Sequence, residues 1–424
     1  MKNPSRLIHR FGALLLACML SLQLSGCSWY FMPGPVIITD EIPTETVSSK
    51  ADAPSGETSL PETVPPSGAV STEEERPSSQ GETEPAAGTP GKASESAPSE
   101  TASAAPTIPT SETGGSQSEA SFTIDYYRTP AALHKAASDA ILVDAYNVIN
   151  SCLAFKTSVQ VSCSKEDTGL VLYLADTLCP LLKAFTNVSE DSWSDGMISW
   201  EFYVDKVEFS IIRAEFEQQV KAYIEPVMKE EYGETERALL LYHAYTAPAS
   251  YNFEILSGAF KTYTEAEQHR IHSAYAGIMN HTGVCHDLAG GMTFLFIQAG
   301  FNACRVSVIN KDDEHSWTLI ELNGRFTFCD ATWDVGGSFA YFGNSVNERT
   351  TAVGGSFKKE QMMIYDLNVP AHFTVVNPGF KKVQSLCLTS VGSLVDLSIN
   401  TKASPHTLRF TNTNTKRSVV IPCP

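Results

Sequence analysis

The stretch HSAYAGIMNHTGVCHDLAGGMTFLFIQAGFNACRVSVINKDDEHSWTLIELNGRFTFCDATWD, residues 272–334, decides how the rest of the chain is read. Gly283-Val284-Cys285 opens a helical pattern in which Leu288, Met292, Leu295, Phe296 and Ala299 recur on one face, and Gly300 is a natural C-cap. Cys285 therefore stands at or near a helix N-terminus. The helix dipole and the free backbone N–H groups there favour a thiolate and can donate to an oxyanion. A strand from Ala303 to Ile309 follows, then a polar loop from Asn310 to Glu314 and a second strand from His315 to Leu322. Asn323-Gly324 is a strong two-residue hairpin signal, with Arg325 to Thr332 as the return strand. With those two residues as the loop, Leu322 faces Arg325, Trp317 faces Asp330 and His315 faces Thr332. Directly opposed residues share a face, so His315 and Asp330 become diagonal neighbours within reach of each other. A carboxylate beside an imidazole orients it and stabilises its protonated form. A cysteine at a helix tip facing that pair supplies the nucleophile.

These motifs, taken in order, resemble the transglutaminase-like superfamily, a papain-related fold: GVC opening a helix, then a strand, then His-x-Trp, then Gly-x-aromatic-x-aromatic-x-Asp-x-Thr-Trp-Asp. The specific match covers about sixty residues. His272-Ser273-Ala274-Tyr275 and the segment ending near Tyr251-Asn252 also look like bacterial members. The resemblance implies a catalytic triad of Cys285, His315 and Asp330. It implies an α+β fold with a papain-like or transglutaminase-like core, the helix carrying the cysteine packed on an antiparallel sheet. It implies no cofactor, although the family includes calcium-dependent members. Two departures bear on substrate class. His286-Asp287-Leu288-Ala289 follows the cysteine where relatives often have an acidic residue or Gln and then Gly-Tyr-Ala. Thr318 follows Trp317 where relatives often have Asn. Tyr275, His286 and Trp317 are candidates for an oxyanion donor or the site wall. Each has an ordinary alternative: packing for Tyr275 and Trp317, a polar first-turn position for His286. Asp334 is read as ordering a loop rather than serving chemistry.

The chain outside this stretch divides by composition. Lys2, Arg6, His9 and Arg10 precede a short apolar run, Phe11 to Leu22, too short to span a membrane as a mature helix. Leu24-Ser25-Gly26-Cys27 then resembles the bacterial lipobox, which makes residues 1–27 a signal peptide and Cys27 the lipidated residue. Residues 28–121 read as a disordered linker. From Pro33 to Ser121 there is no aromatic residue and the stretch is crowded with Ser, Thr, Pro and Glu, so it cannot bury enough apolar surface to offset its chain entropy. A coil of this length spans on the order of 50 Å. The net charge of −18 is concentrated in the linker, and what remains on residues 122–424 is mildly acidic. That argues against a nucleic-acid partner, which needs a clustered basic face.

Residues 122–232 read as an α+β lead-in. Thr129 to Leu153 is helical with Leu133, Ala136, Ala140 and Val143 on one face, and Ser158 to Cys163 alternates like a strand. Leu170 to Phe185 is helical with a break at Pro180, and Ile198 to Ile212 is rich enough in aromatic and β-branched residues to predict one or two strands. Ala214 to Lys229 and Thr235 to Tyr245 are helical. Residues 233–370 form the catalytic core, with Gly336 to Gly355 loop-rich. In residues 371–424, Phe373 to Val376, Leu394 to Ile399, Leu408 to Thr411 and Ser418 to Ile421 predict short strands that either complete the sheet or form a small β appendage. The cysteines show no zinc spacing, and there is no Gly-rich phosphate loop.

Together these readings predict a lipoprotein, anchored through Cys27 to the outer face of the cell membrane, that acts on peptide or protein amide bonds. Hydrolysis of the acyl-enzyme is the expected outcome. Amine transfer, as in a cross-linking transglutaminase, and a catalytically silent binding or scaffold protein are the alternatives.

Overall fold

The computed structural model describes residues 122–309, 314–352, 357–388 and 394–424. The leader at 1–27, with Cys27, and the linker at 28–121 lie outside the described residues. Helices and sheets alternate through the rest, an α+β arrangement. At its centre is a six-stranded sheet of β1 (Ala303–Ile309), β2 (Glu314–Leu322), β3 (Arg325–Cys329), β4 (Phe342–Asn344), β5 (Met363–Ile364) and β6 (Leu367–Asn368). The order is β6-β5-β1-β2-β3-β4 and every neighbouring pair is antiparallel.

The hairpin register is the one a two-residue loop dictates: β2 and β3 pair from Leu322↔Arg325 to Thr318↔Cys329. Asn323 and Gly324 have φ of +49° and +74°, the pair of positive values that a type I′ turn requires. The return strand ends at Cys329, short of the Thr332 expected from sequence. The Asp330 carboxylate accepts the backbone N–H groups of Thr332 (3.0 Å) and Trp333 (3.2 Å), which turns the chain out of the ladder.

The helix Cys285–Gln298 lies on this sheet, and every residue from Asp287 to Gln298 is buried. Thr293 and Thr318 hydroxyls meet at 3.0 Å across the contact. On the helix's other side Tyr245, from the helix Glu234–Thr246, donates to the Leu288 carbonyl at 3.1 Å. Any Cβ at position 291 would collide with that tyrosine, so Gly291 is what lets the two helices close. Apolar side chains from Leu142 to Phe410 belong to one buried cluster.

Three expectations are corrected. Val207, Phe209 and Ile211 are helical, not strand. The helix Lys206–Ile224 begins at Asp205, whose carboxylate accepts from Val207 and Glu208, and of the expected strand region Ile198 and Ser199 lie in a short strand and Phe202 in a bridge to Thr186. Phe209, Phe216, Val220 and Tyr223 recur at helical spacing and are buried, whereas Val207 and Ile211 face solvent; tertiary packing outweighs their β preference. The Ala214–Lys229 expectation merges into the same helix. Second, the Thr129–Leu153 helix is interrupted: Ala131–His134 stops, and Asp139–Leu153 restarts from the Ser138 cap. The restart changes the phase, so Leu142, Ala145, Val148 and Ile149 are buried while Ala140 is exposed. Third, the region read as loop-rich holds β4 and a helix, Val346–Ala352.

The break at Pro180 separates helices Thr168–Leu178 and Leu181–Phe185. The C-terminal strands Val395–Asn400, Thr407–Asn412 and Ser418–Pro422 make a separate three-stranded sheet, the appendage rather than an extension of the centre. It is tied to the core by Phe410 against Phe339 and by His406 against Glu236. Residues Phe373 to Val376 contribute a single bridge, Val375 to Phe326, instead of a strand. No helix among the described residues is long and apolar enough to cross a membrane.

Candidate active site

Cys285 is the first residue of its helix and is partly exposed, whereas the rest of the helix beyond His286 is buried. The end is closed by Asp287, which accepts the Val284 N–H at 3.0 Å and receives His272 Nδ1 at 2.8 Å. The first-turn N–H groups of Cys285 and His286 have no acceptor within the helix, the normal state of such a terminus. Just before the cysteine, Thr282–Gly283 pairs in parallel with Ser250–Tyr251, which sets Tyr251 opposite Gly283.

His315, near the start of β2, presents Nε2 to Asp330 Oδ2 at 2.7 Å. The Cys285 side chain is a close polar neighbour of the imidazole. Trp317, Trp333 and Phe357 surround the ring at 5.7, 5.5 and 6.4 Å between centroids. Burial works against charging His315. The negative Asp330, its hydrogen bond and the neighbouring Cys285 side chain outweigh it and raise the imidazole to about 9. Asp330 is fully buried, which favours its neutral form. Arg349 first, then His315 and the Trp333 N–H, reverse that and hold the carboxyl below the usual range. Cysteine, imidazole and carboxylate thus meet in one chain of contacts.

The other residues expected at the site are distributed differently. Trp317 is fully buried beneath His315, against Phe328 and Arg349. His286 turns sideways: its Nε2 accepts from Arg305 Nη1 at 3.0 Å. Burial, Arg305, Lys183 and His272 together push it well below the ordinary histidine value, so it stays neutral. Tyr275 is enclosed by Phe185 and Phe216, and its electrostatic neighbours are Glu215 and Arg270 rather than the triad; it packs in the core. Asp334 is buried and accepts from Tyr242 (2.7 Å), Ser338 and the Tyr341 N–H (3.1 Å), which orders the 334–341 loop.

Two site residues escape the sequence reading. Tyr251 is raised by burial and then by the nearby Cys285, so its phenol keeps its proton beside that thiol. The parallel bridge to Gly283 brings it there. Arg349 is fully buried, with Nη2 at 2.5 Å from Asp330 Oδ2. Its helix had a legible start: Ser345 and Glu348 form a reciprocal cap, Ser-x-x-Glu in the sequence. All eight described cysteines are free thiols. No cluster of three or more His, Cys, Asp or Glu among the described residues is arranged to hold a metal ion.

No protein-family model and no curated protein matches the chain. Among solved structures, one described as the crystal structure of a TGase is similar at a TM-score of 0.27 and 12% identity. The similarity covers 48% of this chain, which spans 60% of that one. A likeness at that level leaves the functional reading to the site itself.

Proposed function

We propose that the chain is an acyl-transfer enzyme of transglutaminase-like type that acts on peptide or protein carboxamides, with Cys285 as nucleophile, His315 as acid–base and Asp330 as orienting carboxylate. The observation that carries this reading is the 2.7 Å contact of His315 Nε2 with the buried Asp330 carboxylate, with Cys285 as a close neighbour of the same imidazole. Cys285 sulfur attacks the carbonyl carbon and the C–S bond forms. First-turn N–H groups of the helix, which lack intrahelical acceptors, donate to the oxyanion that develops. The imidazolium gives its proton to the departing nitrogen as the C–N bond breaks, leaving a thioester. Water then attacks, His315 accepts its proton, and the C–S bond breaks to release the carboxylic acid and restore the thiol. An amine in place of water gives the cross-linked product, and the same residues serve both. In this proposal the enzyme is exported and held at the outer face of the membrane by a lipid on Cys27.

The test uses the full-length chain with glutamine-containing proteins, following release of ammonia or amine and incorporation of a labelled primary amine. Activity abolished in Cys285→Ala and His315→Ala supports the reading. Equal activity in Cys285→Ala sinks it. Site-resolved alkylation adds an internal reference. Cys423 is also partly exposed, but burial raises its thiol to about 11, so Cys285 is expected to react with iodoacetamide well before it at pH 7.

A further inference from the structure

Arg349 has no part in the chemistry above, yet it touches the buried carboxylate of the site. It is fully buried, and its guanidinium lies over Trp333 at 4.2 Å, Trp317 at 4.8 Å and Tyr341 at 5.9 Å. Nε, Nη1 and Nη2 make no hydrogen bond among the described residues, and the ion pair of Nη2 with Asp330 is the pairing that Arg349 has there. Arg349 Nη2 and His315 Nε2 approach the same oxygen, Asp330 Oδ2. A buried cation with one anionic partner is expensive to keep, even with aromatic faces to offset part of the cost. Two tryptophans that clamp a guanidinium also remove its freedom to turn.

We propose that Arg349 is the positioning residue of the triad: sharing Oδ2 with His315, it aims the Asp330 carboxylate and limits how firmly that carboxylate holds the imidazole's proton. This rests on the acyl-transfer reading. His315 must surrender its proton to the leaving nitrogen, and an unopposed buried carboxylate would retain it. The charged and titratable groups around the pair are Cys285 and Tyr251 on the nearby chain, Cys329 at the end of β3, Tyr242, Arg349 on its helix, and Asp334 and Tyr341 on the adjoining loop. Among these, Arg349 is the cation that opposes protonation of His315.

The experiment is an NMR titration of the His315 imidazole in the full-length chain. Arg349→Met moves its midpoint upward by about one pH unit, the low end for loss of a charge within ~6 Å. Arg349→Lys keeps the charge and leaves the midpoint near that of the unaltered protein. An unchanged or lowered midpoint in Arg349→Met overturns the proposal. A lowered midpoint is what a merely structural Arg349 gives, because a displaced Asp330 lets His315 relax toward an ordinary histidine. A Lys variant that titrates like Met also overturns it. If Arg349→Met does not fold, Arg349→Gln carries the same expectation. The titration needs no substrate. An upward shift in a protein without turnover upholds the coupling and removes the enzyme reading, whereas turnover without the shift removes this proposal alone.

Discussion

Asp330 and Asp334 stand at the two ends of one turn, four residues apart and both fully buried, yet their surroundings drive them in opposite directions. Asp330 meets Arg349 and His315 and stays ionised. Asp334 meets only neutral donors, from Tyr242, Ser338 and the Tyr341 backbone, and burial pushes it up to about 7. Hydrogen bonds alone do not match the desolvation of a carboxylate in this turn; a cation does. The difference separates two jobs. In the proposed mechanism a charge that must steer a proton is paired with Arg349, while Asp334, which orders a loop, is left without a cation and burial raises it.

The strongest way to break this comparison is to delete each carboxylate. Asp330→Ala leaves Arg349 buried without its counter-charge and is expected to cost about 3–5 kcal/mol of stability. It also lowers turnover by a factor on the order of 10⁴, the scale known for loss of a triad's orienting carboxylate. Urea denaturation and carboxamide turnover measure the two effects. An Asp330→Ala protein as stable as the unaltered chain would show that Arg349 does not depend on Asp330, and the account of the turn fails with it.

The second test is the pH dependence that Asp334 imposes. Its folded value is raised above the unfolded one near 3.8, so the folded state binds the extra proton. The associated stability is therefore present below the unfolded value and is lost as pH rises through about 7, on the order of 4 kcal/mol in all. His315 adds a second decline of the same sign: its contribution is present below about 6.5 and lost as pH rises through about 9. Asp334→Asn should flatten the part of the stability curve between about pH 4 and 7 and leave the upper decline in place. A curve that keeps its lower decline in Asp334→Asn assigns the proton to some other group.

Why Asp330 was legible in the sequence and Arg349 was not follows from how far each signal reaches. Asn323-Gly324 sets a register by local backbone sterics, and the register carries His315 and Asp330 to the same end of the sheet. The helix that carries Cys285 is likewise declared locally, by its apolar spacing and by Gly300 at its end. Arg349 lies past two turns and a short strand, and nothing in its neighbours reveals that its helix folds back over Trp317 and Trp333. Tyr251 shares that difficulty: its place beside Cys285 depends on a two-residue parallel bridge. The first turns of the helix Lys206–Ile224, up to Ile212, were misread for the opposite reason, whereas the rest from Ala214 was read as helical. Their composition favoured strand strongly, and the Asp205 cap together with four buried side chains at helical spacing prevailed.

The smallest effect is expected where the same ion-pair chemistry sits in water. Arg213 and Glu217 approach to 2.7 Å, at least as well placed as many buried pairs, but both side chains are more than a third exposed. In high dielectric the attraction is weak and two long side chains must be ordered to gain it. Arg213→Met should change stability by only about 0.2–1 kcal/mol, and added salt should shrink the difference further. Arg349→Met removes the same functional group from the buried end of the turn, so urea denaturation of both variants at low and high salt compares position directly. A large salt-sensitive loss at Arg213, or a salt-sensitive loss at Arg349, would mean that exposure is not what separates them. Equal, salt-independent losses at both would place the worth of an arginine here in its packed stem rather than its charge.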